Sequence, residues 1–396
     1  GVEAPRLADA QLAVARELGA RSWPALVRRV ELGRSLVLAA TSGRLGEAQA
    51  LLDPALFPAA LDVALVIGEA GVVGAALADD SGVATRAMGT RGWPPLLYLT
   101  YSAFLGAERT AGLLACAGAL LDAGADPNAA WEDDEYERMT ALHGAAGVAR
   151  EPRMTALLLQ AGADPDDGRS LRDAAGAEDP ACVELLLDAG ATLYRSMALA
   201  HAAQRGALGP ARVLLEGGPE QWGERENALV WAARGEAPAE MLRLLASNGA
   251  NLEASFDGSG RTPYGEAVRA GRQDLAEVLA SLGAQPRVEP LDELVGACLA
   301  GDGAAERRVA AERSGSRAAL RRARLGRGCR LPPDPLFLAA RRDPRGRRRV
   351  RGGHGHRGQH GERGGVRSRR RRGDRRDARL ARGAWCAGAV VRRGVV

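Results

Sequence analysis

Histidine, cysteine, lysine and clustered carboxylates are the residues that carry most protein chemistry, and this chain of 396 residues spaces them thinly. Of five histidines only His143 and His201 precede residue 314, and no motif supplies either with a nucleophile or carboxylate for acid–base work. Cys116, Cys182, Cys298, Cys329 and Cys386 lie far apart, with no CxxC pair. That spacing gives neither a disulfide framework nor a zinc site, and reads as small buried apolar residues in a reducing compartment. Lysine is absent, which excludes a P-loop and Schiff-base chemistry. Gly68, Gly71 and Gly74 imitate a phosphate loop, but no strand pattern precedes them and their surroundings are alanine-rich and helical. The acidic run Glu132, Asp133, Asp134, Glu135 and Glu137 lacks the alternating ligands and central glycine of a calcium loop. No catalytic, cofactor-binding or metal-ligating set emerges, so the expectation is a protein that is not an enzyme and carries no cofactor.

The elements around these residues are more informative. With 46% apolar and 4% aromatic residues, the core must be built from Ala, Leu and Val, which favours close helix packing. One phrase returns along the chain: DAGADPN from Asp122, QAGADPD from Gln160, DAGATL from Asp188, SNGANLE from Ser247 and SLGAQPR from Ser281, with a weaker LEGGPE from Leu215. Its glycines, Gly124, Gly162, Gly190, Gly218, Gly249 and Gly283, are separated by 38, 28, 28, 31 and 34 residues. Each follows an apolar i, i+3, i+4 run such as Val183, Leu186, Leu187 or Met241, Leu244, Leu245, and supplies the left-handed residue that ends a helix. An alanine-rich helix precedes each run, at Thr140–Ala146, Met197–Ala203, Ala228–Ala233 and Thr262–Ala270. The unit is helix, turn, helix, exposed loop; alone it buries one face, and stacked it shares a continuous core.

These features resemble ankyrin repeats. Thr140, Ala141, Leu142, His143, Ala145 and Ala146 match the family's Thr-Pro-Leu-His opening, with Ala141 in place of proline. Thr262, Pro263, Tyr264 and Ala267 match it again, with Gly265 in place of histidine. The resemblance implies an all-α ankyrin-repeat solenoid of about eight units, best matched over 90–287 and extending over 35–313. It assigns Thr140, His143, Thr262 and Pro263 a structural role in the turn. Two 28-residue gaps are shorter than the family's usual 33, so those units are expected to lack a β-hairpin. The extra length of the 38-residue gap falls at Ala129–Met139. Ala8–Glu31, within a cap assigned to residues 1–34, resembles a helical module that precedes repeats in bacterial ankyrin-like proteins. Its Trp23 is expected to pack between two small helices.

In ankyrin repeats the loops and first helices form a concave binding face, so the resemblance implies a non-catalytic protein-interaction scaffold. The acidic run is then either a solvated loop or a binding finger, since Trp131 and Tyr136 sit inside it as aromatic interface anchors do. Trp131, Asp133, Asp134 and Tyr136 are expected to meet a basic partner, with Tyr194, Trp222 and Phe256 as further loop aromatics.

Charge divides the chain. Residues 314–396 hold 26 arginines against 5 acids, whereas 1–313 hold 28 against 44, beneath a net charge of +5. The tail has no helical period and is expected to be disordered. It reads as an arm for RNA or DNA, as a linker, or as the product of a shifted frame in a gene rich in G and C, where arginine and glycine abound. The chain opens on Gly1, so it is expected to be processed or a fragment. No signal peptide is recognisable, and Ala59–Ala78 contains Asp62 and Glu69 and falls short of a membrane span. The expected location is cytoplasmic, with no membrane partner and the oligomeric state open.

Overall fold

The computed structural model describes residues 7–52, 60–132, 138–193, 196–217, 224–255 and 260–301. The expected tail 314–396, with Cys329 and Cys386, lies outside these residues, as does Gly218.

Helices arise where alanine and leucine recur, and they come in pairs. After α1 (Leu7–Glu17), α2 (Trp23–Thr41) pairs with α3 (Leu45–Ala50), α4 (Leu61–Ile67) with α5 (Ala70–Asp79), and α6 (Pro95–Thr100) with α7 (Thr110–Asp122). A π-helical segment, His143–Ala149, pairs with α8 (Pro152–Gln160). Then come α9 (Ser170–Ala174) with α10 (Ala181–Asp188), α11 (Ala198–Arg205) with α12 (Leu208–Glu216), α13 (Glu224–Arg234) with α14 (Ala239–Ser247), and α15 (Pro263–Arg269) with α16 (Gln273–Ser281). The last described helix is α17 (Pro290–Ala300). Eight helix pairs are thus described.

First helices pack on first helices, from α2 through α4, α6, the π-helical segment, α9, α11, α13 and α15 to α17. Second helices form a parallel layer from α5 to α16. The expected all-α solenoid is therefore the observed architecture. Between its layers lie fully buried alanine pairs, Ala145–Ala146, Ala174–Ala175, Ala202–Ala203 and Ala232–Ala233, opposite Leu158, Leu186, Leu214 and Leu245 of the second layer. Small side chains on one layer let leucines from the other fill the gap, so a chain poor in aromatics still packs densely.

The repeated phrase marks equivalent corners. Gly124, Gly162, Gly190, Gly249 and Gly283 all follow second helices with φ between +86 and +105. In each the next residue's N–H bonds back to a buried leucine carbonyl: Ala125 to Leu120, Ala163 to Leu158, Ala191 to Leu186, Ala250 to Leu245, Ala284 to Leu279, at 2.9–3.1 Å. That is the six-to-one bond of a Schellman stop, and its alanine tucks against the leucine it caps. Thr262 caps α15 in the expected way, accepting from Gly265 N–H at 3.3 Å.

The lone described sheet, β1 (Ala130–Glu132) with β2 (Arg138–Thr140), is antiparallel and falls where the longest gap placed its extra residues. Among the described residues, the other antiparallel pairing outside it is an isolated bridge, Met88 with Trp93, where Met88 N–H donates to Trp93 O at 3.0 Å.

Two expectations need correction. Trp23 begins α2 and stays 37% exposed, so it does not fill the space between α1 and α2; Ala15 and Leu26 are the buried residues there. Cys116 and Cys182 are buried as expected, but Cys298 is exposed, because α17 turns Asp292, Gly296 and Ala297 inward instead. The cap and array also share an element: α2 runs unbroken across position 34, and its second half buries Leu36, Val37, Ala39 and Ala40. The glycine triplet is helical, Gly68 ending α4 and Gly71 and Gly74 lying in α5. Among the described residues, no helix is long and apolar enough to cross a membrane.

Candidate protein-interaction surface

The hairpin sets the first candidate residue. Register pairs Trp131 with Met139, between Ala130–Thr140 and Glu132–Arg138, so Trp131 points to the opposite side of the ribbon from Glu132. There its ring stacks on Trp93, centroids 5.1 Å apart. Trp93 in turn touches Tyr98 and Tyr101 at 5.7 Å, and Tyr101 meets Trp131 edge-on at 6.3 Å. The Arg91 guanidinium caps Trp93 at 5.3 Å. Four of the few aromatics in the chain therefore form one cluster. Trp131 is half-buried within it and also walls an open groove of about 390 Å³ with Pro94, Leu96, Asn128 and Arg138.

Asn128 ties this groove to the next loop. Its side chain donates to Gly162 O at 3.1 Å and accepts from Asp164 N–H at 2.8 Å, while Arg138 donates to its carbonyl at 2.9 Å. The loop edge is thus a connected surface whose pieces come from successive units.

His143 sits inside the stack, hydrogen-bonded on both ring nitrogens. It is 5% exposed, beyond reach of a substrate. Its backbone N–H donates to Thr140 Oγ1 at 2.9 Å, and Thr140 bonds onward to the Asp167 carboxylate. Its Nε2 lies 2.9 Å from Asp173 Oδ2 and must carry the proton, since a carboxylate only accepts. Its Nδ1 lies 3.0 Å from the Tyr101 hydroxyl, itself 3.1 Å from Thr140 O. One imidazole so bolts three successive units together.

Asp173 is the hub. Burial opposes its charge, but hydrogen bonds from His143 and Arg172, together with their charges, hold it well below the usual carboxylate range. The Tyr101 hydroxyl is pushed up, mainly by burial and then by the Asp167 charge. His201 lies in the next unit, where Nδ1 donates to Arg172 O at 2.7 Å and sits 4.0 Å from Asp173. Burial lowers its pKa, against the raising influence of Arg172 O and Asp173. Burial likewise pushes the Cys116 thiol up to about 11, so it is no nucleophile at neutral pH. Among the described residues no cluster of His, Cys, Asp and Glu has metal-binding geometry.

Asp133, Asp134, Tyr136, Tyr194, Trp222 and Phe256 lie outside the described residues. Of the expected contact residues the structure therefore places Trp131 alone. Sequence reading missed Trp93, the ring on which Trp131 rests, and Trp231 on α13. Trp231 lies off the buried stripe of Leu229, Ala232 and Ala233, and a large aromatic in that position was the available signal. It is half-buried, and the Arg234 guanidinium lies 5.7 Å from its ring.

Residues 199–289 match the family model described as Ankyrin repeats (3 copies). Among solved structures the chain is similar to the human ASB11 ankyrin repeat domain, at 21% identity and a TM-score of 0.46, covering 58% of this chain and 100% of that one. It is also similar to the ankyrin repeat domain of Bcl-3, a member of the IkappaB family, at 23% identity and a TM-score of 0.36, covering 44% and 83%. No curated protein matches the chain.

Proposed function

We propose that this chain, whose residues 199–289 match ankyrin repeats, acts as a non-catalytic scaffold, binding a protein partner through its loop edge and the exposed face of its first helices. Ankyrin repeats are general protein-interaction modules. The observation that carries the proposal is the Trp131–Trp93 stack: the β1–β2 hairpin brings a half-buried tryptophan to the wall of an open groove that Glu132 also lines. A rigid aromatic already held in place contributes contact area at little ordering cost, as interface anchors do. The mechanism is shape and charge complementarity on a preformed surface, toward a partner basic at this groove.

The test is affinity capture with the full chain. Replacing Trp131 and Tyr136 by alanine is expected to lower recovery of the captured partner by about tenfold at limiting bait, the effect of a hot-spot residue. Unchanged recovery with unchanged helical content would remove the assignment.

A second reading rests on the 26 arginines of residues 314–396. Dense arginine neutralises phosphates, so the full chain would retain RNA or DNA in a strongly salt-dependent way, and removing 314–396 would abolish retention. Reading the gene in its other frames tests whether the segment is native: a further GADPN-like phrase beyond codon 314 would mark a shifted frame.

A further inference from the structure

The exposed side of the first-helix layer carries an ion-pair ladder whose two signs are buried unequally. Arg234 on α13 grips Glu266 on α15 through Nε and Nη2 at 2.8 and 2.7 Å. Arg261 and Arg269 converge on Asp292 of α17 at 2.7 and 2.6 Å. The carboxylates lie underneath: the Glu266 side chain is 5% exposed and that of Asp292 3%, whereas Arg234, Arg261 and Arg269 expose 28%, 29% and 30%. Arg205, at the end of the neighbouring α11, is exposed. Four guanidiniums thus reach solvent above two carboxylates that do not. This strip is locally positive, although residues 1–313 as a whole carry an excess of acids.

Trp231 stands within the strip. Its ring lies beside the Arg234 guanidinium, which the bidentate Glu266 pair holds in plane, and it has no place among the residues packed on the hydrophobic core. A half-buried tryptophan with a fixed cation over its ring meets the description of an interface anchor better than that of a core residue.

We propose that this strip binds an acidic, extended segment of a partner protein, with an apolar side chain of that segment seated on Trp231 and its carboxylates facing Arg205, Arg234 and Arg269. The proposal rests on the reading of the first-helix face as a binding face and adds the chemistry of what it takes. Charge decides the occupant. A basic segment would meet like charge here and would be directed to the exposed Glu132 at the loop edge instead. The two surfaces therefore select opposite chemistries.

The experiment is fluorescence anisotropy of the full chain with short fluorescein-labelled peptides: one of glutamates around a central phenylalanine, one with arginines replacing the glutamates, and one with glutamines replacing them. The acidic peptide is expected to bind best, and more weakly as salt rises. Trp231→Ala should weaken it about tenfold and Arg205→Glu severalfold, while Trp231→Phe retains most of the affinity. Arg205 is exposed in the last turn of α11, and circular dichroism verifies each variant. No preference for the acidic peptide, or equal binding by Trp231→Ala, would overturn the proposal. Preferential retention of a single-stranded oligonucleotide, lost in Trp231→Ala, would overturn it too by assigning the strip to phosphates. If the peptides fail while capture of a partner still depends on Trp131, the acidic-segment assignment falls and the scaffold reading stands.

Discussion

At the scale of single residues, His143 and Asp173 decide how firmly successive units hold together. Deleting the imidazole leaves a buried carboxylate short of a donor and the Tyr101 hydroxyl short of a partner, a loss of about 1–3 kcal/mol. His143→Ala should therefore lower the urea midpoint without changing the helical spectrum of the folded state; an unmoved midpoint would mean that the bolt carries no stability. Acid should act through its neighbours. Burial lowers the His201 pKa below its ordinary 6.5, so as pH falls past that value the unfolded chain binds the proton first and stability declines. Asp173 is also held below its ordinary value, so its contribution is complete above pH 4 and is lost as pH falls further. Both signs agree: thermal stability should drop on acidification in two stages, and His201→Gln should flatten the one nearer neutrality. A melting temperature that rises toward pH 5 would refute this. A structural role for the histidine was implied by the resemblance of Thr140–His143 to the ankyrin opening, whereas its acceptor was not legible, because Asp173 lies thirty residues on and no local pattern pairs them.

At the scale of elements, glycines set both the ends of helices and their approach. Gly249 at φ +86 has open space where a side chain would go, so Gly249→Ala should cost only the left-handed strain, about 1 kcal/mol. Gly112 at the start of α7 is a different case, for a methyl there would stand 2.3 Å from the Gly68 carbonyl. Gly112→Ala must push α7 from the end of α4 and should cost about 1–3 kcal/mol. Denaturant titration of the two variants checks the order; equal effects would deny the close approach. The corner glycines were readable because their requirement is local, a positive φ after a helical run. Gly112 carried no such mark, since its partner belongs to the preceding pair. Gap length marked where the extra residues lie, but that they pair as a hairpin and the direction in which Trp131 leaves it depended on strand register.

At the scale of the molecule, each pair is braced by its neighbours, so the two ends of the described array have the least support. Large apolar side chains are exposed there, Leu7 on α1 and Leu299 on α17, at 75% and 66%. Amide hydrogen exchange should therefore be slowest in α7, α8 and α10 and fastest in α1 and α17. Uniform protection along the array would contradict a stack held by nearest neighbours. The polar ladder continues the same logic: His143 to Asp173, Arg234 to Glu266, and Arg269 to Asp292 each cross one interface between units.

Local grammar in this chain already decided that helices come in pairs, where each pair stops and how successive pairs stack, because helical period, glycine corners and alanine pairs act over a few residues. Only the folded stack decided which side chains share a surface. Trp131 finds Trp93, and Arg234 finds Glu266, across separations of about one repeat, and that meeting is governed by how neighbouring layers superpose rather than by any nearby residue.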